Sequence, residues 1–234
     1  MAEQIKELAA RLRTNGFRWE FSNSEIQLLC RLWSTLASGN RITERRLTRL
    51  AVQLDVSRDF VNSFVNRTGE RDRQGKIVGI MGLSRIRHSH RFRVQGRDLW
   101  TWCALDALFL PAALNEKVEI ESTCPATGSR MQIRVGPQGI ESTNSCDGAL
   151  TIPHQKCDID SGNSGEQLRS RFCCLVKFFA SREAALDWTC SHECEFSVIS
   201  IEAGFRLGEV MLSGLLNCGV KSGLRSCCQD FDSG

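Results

Sequence analysis

No stretch of the chain approaches the roughly 18 consecutive apolar residues that a membrane-spanning helix needs, and no Cys-x-x-Cys occurs in its 234 residues. The first absence argues against a transmembrane helix. The second removes the pattern on which structural zinc sites and thiol–disulfide oxidoreductases usually rely. An excess of one charge is missing too. Thirty Lys and Arg stand against 27 Asp and Glu, a net charge of +3 with the basic residues spread rather than blocked, so there is no electrostatic case for a dedicated nucleic-acid binder. Residues 1–8 are charged and amphipathic and lack the apolar core of a secretory signal. The expectation is a soluble cytoplasmic protein without membrane or nucleic-acid partners.

Cysteine, by contrast, is plentiful: there are twelve, irregularly spaced. The chain exceeds the roughly 100 residues of small disulfide scaffolds, and in a cytoplasmic protein most thiols stay reduced. That leaves buried small hydrophobes, metal ligands and nucleophiles. Cys30, on the stripe Ile26, Leu29, Cys30, Trp33 and Leu36, reads as core filler. The segment 190–194, with Cys190, His192 and Cys194, comes nearest to a zinc cluster but has no second pair.

The informative group is Cys103 with Asp106 three residues on, followed at a distance by Phe172-Cys173-Cys174. Thiolates select thiophilic metals, and a carboxylate can hold and release a proton. A helix over 102–108 would put Cys103 and Asp106 on one face. Cys173 would open an apolar strand over 175–179 and reach the same pocket from another element, with Cys174 on the opposite face of the extended chain. From the residues alone, an ordinary helix with a buried cysteine and a capping or solvated aspartate is the better account.

Periodicity assigns the first third to helices. Ile5, Leu8, Ala9 and Leu12 share a face; a second stripe starts after Ser24 and stops at Gly39. Thr43 opens a segment with Leu47, Leu50, Ala51 and Leu54 on one face, and after a turn at Asp55-Val56-Ser57 a short helix carries Phe60, Val61, Phe64 and Val65. With a hairpin over 71–79, this region resembles a winged helix. Apolar residues then alternate at Phe92/Val94, Val118/Ile120 and Met131/Ile133/Val135, as in half-buried strands. Residues 141–167 read as irregular chain with one short strand at 150–152, and helices are expected near Ser181 and over about 200–216. The fold class is α+β: a winged-helix-like helical domain over 1–82, a mostly antiparallel β core with flanking helices over 83–216, and a flexible cysteine-containing tail over 217–234.

The run Gly96-Arg97-Asp98-Leu99-Trp100-Thr101-Trp102-Cys103-Ala104-Leu105-Asp106-Ala107-Leu108-Phe109-Leu110-Pro111, with Cys124 and Phe172-Cys173-Cys174 beyond it, resembles the organomercurial lyases (alkylmercury lyases) of bacterial mercury resistance. The similarity takes in His90-Arg91-Phe92-Arg93-Val94 and extends over most of the chain to about residue 215. It implies protonolysis of a carbon–mercury bond to a hydrocarbon and Hg(II). In the roles it suggests, Cys103 captures the organomercurial, Asp106 removes a thiol proton, Cys173 supplies the second sulfur, and Asp106 returns the proton to carbon. Mercury, as substrate and product, would be held by Cys103, Cys173 and Asp106, with Cys124 structural; the adjacent Trp100 and Trp102 (Trp102 as the substrate-binding candidate) read either as walls for the organic group or, at least equally, as plain core. No organic cofactor is implied. Excess reduced thiol would clear the product, and a mercuric reductase would accept it. Alkyl against aryl preference, homodimer formation and the roles of Cys174, Cys218, Cys227 and Cys228 stay open. The competing class is a winged-helix transcriptional regulator sensing a thiophilic metal, with 58–64 as its recognition helix.

Overall fold

The computed structural model describes residues 2–14, 21–154 and 164–216; the tail over 217–234, with Cys218, Cys227 and Cys228, lies outside them. Four helices come first: α1 (Ala2–Thr14), α2 (Asn23–Ala37), α3 (Glu44–Gln53) and α4 (Arg58–Thr68). α1 buries Ile5, Leu8, Ala9 and Leu12, one apolar stripe. α2 starts two residues earlier than expected, because Ser22 and Glu25 form a reciprocal capping box. Thr43 and Ser57 cap α3 and α4, and Asp55 (φ 51°) makes the tight turn between them.

The strands β1 (Gly69–Arg71), β2 (Ile77–Ile80), β3 (Leu83–Ser84), β4 (His90–Val94), β5 (Arg97–Thr101), β6 (Val118–Thr123), β7 (Arg130–Gly136) and β8 (Gly139–Thr143) form one sheet. Its order is β1-β2-β3-β5-β4-β6-β7-β8, and every adjacent pair is antiparallel. The hairpin β1–β2 thus continues through β3 into the main sheet. A second, antiparallel sheet has β9 (Ala149–Pro153) between β10 (Phe178–Phe179) and β11 (Phe196–Ser200). The architecture is mixed helix and antiparallel sheet.

The remaining helices are α5 (Ala104–Leu114), α6 (Ser164–Arg171), α7 (Arg182–Thr189) and α8 (Ile201–Leu216). α5 is apolar on every face and buries all its residues but Ala112, the pattern of a helix enclosed by the core. It packs on α2, where Trp33 and Phe109 rings lie 6.1 Å apart, and on α8, where Gly208 permits close approach: a Cβ there would stand 2.8 Å from that of Phe109. Each fully buried Leu or Phe of this kind contributes about 1.5–3 kcal/mol.

Three expectations are corrected. Residues 173–175 form a 3-10 turn, and the strand read over 175–179 shrinks to Phe178–Phe179. Of residues 141–167, those described (141–154 and 164–167) are not mainly irregular: they include the end of β8, all of β9 and the start of α6, while 155–163 lie outside the described residues. β9 is buried at every position, so it lacks the alternation that marks a half-buried strand. Finally, Trp102 and Cys103 precede α5 instead of lying within a helix over 102–108. Among the described residues no helix is long and apolar enough to cross a membrane.

Because the buried side chains of α1–α4 and of the sheet belong to one continuous cluster, deleting residues 1–80 should expose the faces of α5 and β3 and impair folding. Near-ultraviolet circular dichroism and thermal unfolding check this. A truncated chain with the full-length melting transition would contradict it.

Candidate active site

β5 ends at Thr101, and the next two residues turn the chain into α5. Cys103 is the N-cap of that helix, in extended conformation (φ −146°, ψ 173°). Its Sγ accepts the Asp106 backbone N–H at 3.4 Å, while Asp106 Oδ2 accepts the Cys103 N–H at 3.0 Å. This is a capping box with a thiol in the place usually taken by a hydroxyl. The two side chains are therefore adjacent because they close the end of a helix, not because they share its face. Two further bonds fix the corner: Trp102 N–H donates to the Gly82 carbonyl at 3.0 Å, and Ala104 N–H to that of Val176 at 3.1 Å.

The second of these bonds draws the 3-10 turn against the start of α5. Cys173 is buried there, whereas Cys174 is exposed, its thiol on the Ser170 carbonyl at 3.0 Å. The two thiols diverge as expected, through a tight turn instead of strand alternation. One ligand atom each from Cys103, Asp106 and Cys173 lies within 4.8 Å of the others, and all three residues are buried. Among the described residues no other group of three His, Cys, Asp or Glu side chains comes so close.

Trp102, the neighbour of Cys103 in the chain, is buried and held at two points. Its indole N–H donates to Glu70 Oε2 at 2.9 Å, and the Arg169 guanidinium carbon lies 4.8 Å from the ring centre. Nothing in the sequence singles out Glu70, Arg169 or Gly82, since each meets the motif only through the fold. Burial pushes the Glu70 carboxyl up, but hydrogen bonds from His88 and Ser84 outweigh it and hold it below the usual value. His90, on the approach to the motif, belongs to the core: burial first, then the Lys177 charge, lower it to about 3, and its Nδ1 lies 2.8 Å from Ser122 Oγ. Cys124 is buried, as is Cys30. Cys190 is exposed and Cys194 partly so.

The pocket's electrostatics follow from enclosure. Burial drives the Cys103 thiol well above 9.0, and its hydrogen bond with Cys173 and the Asp106 charge add to this. Burial also raises Cys173, against a hydrogen bond from Cys103. Asp106 is raised to about 6 by burial, with hydrogen bonds from Cys103 and the His88 charge pulling it back. Enclosure thus favours protonated thiols and brings the neighbouring carboxyl toward neutral pH, where it can accept or release a proton.

A family model of alkylmercury lyases matches residues 83–213. The chain is 34% identical over 212 residues to an alkylmercury lyase of Bacillus cereus, covering 90% of this chain and 92% of the relative. It is 30% identical over 230 residues to one from Streptomyces lividans, covering 97% and 100%. This chain belongs to the alkylmercury lyase family. The crystal structure of the mercury-bound form of MerB2 has the same fold, with a TM-score of 0.68 at 23% identity over 92% of this chain and 98% of that one. The family model covers Cys103, Asp106 and Cys173, whereas Glu70 and Gly82 precede its first matched residue.

In this member of the alkylmercury lyase family, the raised Asp106 value is also a statement about stability. Folding favours the protonated carboxyl, a contribution fully present below the ordinary value of 3.8 and lost as pH rises through about 6; the gap amounts to about 3 kcal/mol. Asp106→Asn resembles the protonated form. It should gain stability over the native protein between pH 4 and pH 7, by up to about 3 kcal/mol in urea unfolding. A pH-independent difference would refute the assignment.

Proposed function

We propose that this chain cleaves the carbon–mercury bond of alkyl- and arylmercury compounds by protonolysis. The observation that carries the reading is the buried group of Cys103, Cys173 and Asp106, all within 4.8 Å. An organomercury thiolate exchanges onto Cys103, and the carrier leaves with the Cys103 proton. Cys173 then gives its proton to the Asp106 carboxylate as its sulfur bonds mercury. Two thiolates push electron density onto the mercury-bound carbon. The Asp106 carboxyl protonates that carbon with the electron pair of the breaking carbon–mercury bond. The hydrocarbon leaves, Asp106 is again a carboxylate, and Hg(II) stays on the two sulfurs. Two external thiols exchange it off as a bis-thiolate and return a proton to each cysteine.

Alignment of acid and ligands within one enclosed pocket is worth several kcal/mol, up to about 7–11 in favourable intramolecular cases. Burial, as the cause of the high thiol values, keeps the sulfurs protonated until a soft cation arrives. Trp102 serves as the wall against the organic group, supported by its bond to Glu70 and the guanidinium on its face. The proposal includes a cytoplasmic setting, no organic cofactor, reduced thiol for release, a mercuric reductase as acceptor, and no nucleic-acid or membrane partner. A homodimer is compatible with it.

Residues 1–82 are proposed as a winged-helix-like unit that packs against the catalytic part over 83–216. The regulator reading finds no support. On α4, Arg58 is paired with Glu44 and Arg67 with Glu25, which takes charge from the face a DNA reader would present.

Incubation of the protein with a phenylmercury salt and excess thiol should release benzene into the headspace; none above a protein-free control would end the lyase reading. Cys103→Ser and Cys173→Ser should each reduce release to the control, because serine is a hard ligand that mercury does not favour. Cys174→Ser should cost far less; a reversed order for Cys173 and Cys174 would mean that the wrong thiol is placed in the reaction.

Asp106→Asn separates capture from chemistry. The variant keeps Cys103 but cannot carry the proton, so mass spectrometry should show a retained organomercury adduct with almost no benzene. Native-rate turnover would move the proton to another acid.

A further inference from the structure

The turn between β2 and β3 consists of Met81 and Gly82, with φ 33° and 91°, the positive angles of a two-residue hairpin. Three segments hold it. Trp33 Nε1 of α2 lies 3.1 Å from the carbonyl oxygens of both Ile80 and Met81. Met81 N–H donates to the Thr68 carbonyl at 3.2 Å, and the Gly82 carbonyl accepts from Trp102 N–H at 3.0 Å. The tip of this turn lies on the Asp106 carboxyl group. A Cβ built on Gly82 would stand 2.7 Å from both Cγ and Oδ1 of Asp106 and 3.1 Å from its Cβ. No real Cβ sits so close to a carboxyl carbon. Oδ2, on the other side, accepts from Cys103 N–H. The carboxylate is thus tied at one oxygen and backed at the other by a residue with no side chain.

We propose that Gly82 is a positioning residue for Asp106: the Trp33-clamped turn backs the carboxylate and keeps it turned toward the two thiols, and the missing side chain provides the space it occupies. In the protonolysis proposed above, on which this inference rests, Asp106 must reach first a thiol proton and then the mercury-bound carbon. A displaced carboxylate would still permit capture on Cys103 but would miss the proton transfers. The helical region before the family motif would therefore contribute to the reaction, through a wall of the site rather than a reacting group.

Positive φ alone could also require glycine at this position, and two controls separate the explanations. Asparagine tolerates positive φ yet has a Cβ, so Gly82→Asn tests space more than backbone conformation. Gly96, in the turn between β4 and β5, has φ 73°, and a Cβ added there would meet nothing within 4 Å, so Gly96→Asn carries a similar backbone demand with no contact. We expect Gly82→Asn to lower kcat for benzene release by about 100-fold, the scale of an ångström-sized misplacement. It should retain the organomercury adduct and a near-native melting temperature. Gly96→Asn should keep kcat. In an Asp106→Asn background, Gly82→Asn should cause no further loss. Trp33→Phe, which keeps an aromatic ring and removes the clamp's N–H, should lower kcat in the same direction if Gly82→Asn fails to fold.

An activity-independent measurement accompanies these rates. The Cys103 backbone N–H, bonded to Asp106 in the native protein, should shift in the amide spectrum and exchange faster in Gly82→Asn and Trp33→Phe but not in Gly96→Asn. Unchanged Cys103 N–H signals in Gly82→Asn and Trp33→Phe would overturn the inference. So would native kcat in both variants, or equal losses in Gly82→Asn and Gly96→Asn. If the native protein released no benzene, the lyase reading would fail, while the amide measurement would still decide whether Gly82 positions Asp106.

Discussion

The reciprocal pair of hydrogen bonds between Cys103 and Asp106 at the start of α5 is the constraint from which the rest of the site follows. An N-cap residue must leave helical geometry while its side chain turns back on the first turn. When that side chain is a thiol and its partner an aspartate, the cap itself brings a soft ligand and a proton carrier together. The helix start also places a partial positive charge beside both groups, which favours their anionic forms. The arrangement therefore needs only one further thiol. The Ala104–Val176 bond places the Cys173 turn against the same helix end.

Enclosure supplies the second half of the chemistry. Cys103, Cys173 and Asp106 are nearly devoid of solvent contact, and burial is the leading cause of all three raised values. The effect differs in kind for the two groups. The thiols are pushed further from physiological pH and stay neutral, while the carboxyl is brought close to it and can serve as both base and acid. A single low-dielectric pocket thus divides the roles between sulfur and carboxylate.

Much of this is legible in the sequence, and the limits have physical reasons. The alternation of Phe92 and Val94, and of Met131, Ile133 and Val135, reveals β4 and β7 because one face of each strand is polar. β9 gives no such sign because both its faces are buried. β3 is only two residues long, too short for any period. The three site side chains are identified through the family resemblance, and the structure brings them together. Their local geometry is not readable from spacing, because an interval of three fits both neighbours on a helix face and an N-cap with its third helical residue. Glu70 and Gly82 escape the sequence because their significance lies wholly in contacts between distant segments, which no local pattern encodes.

The burial of α5 on every side has a consequence for how the protein can change. The helix that orients Cys103 and Asp106 is also the central strut of the core, packed between Trp33 of α2 and Gly208 of α8. Interiors packed at this density transmit strain instead of absorbing it. A substitution at Phe109, which meets both neighbours, would therefore disturb the core and the helix that carries Cys103 and Asp106 together. The contacts that hold the core together and those that aim the two side chains are thus the same.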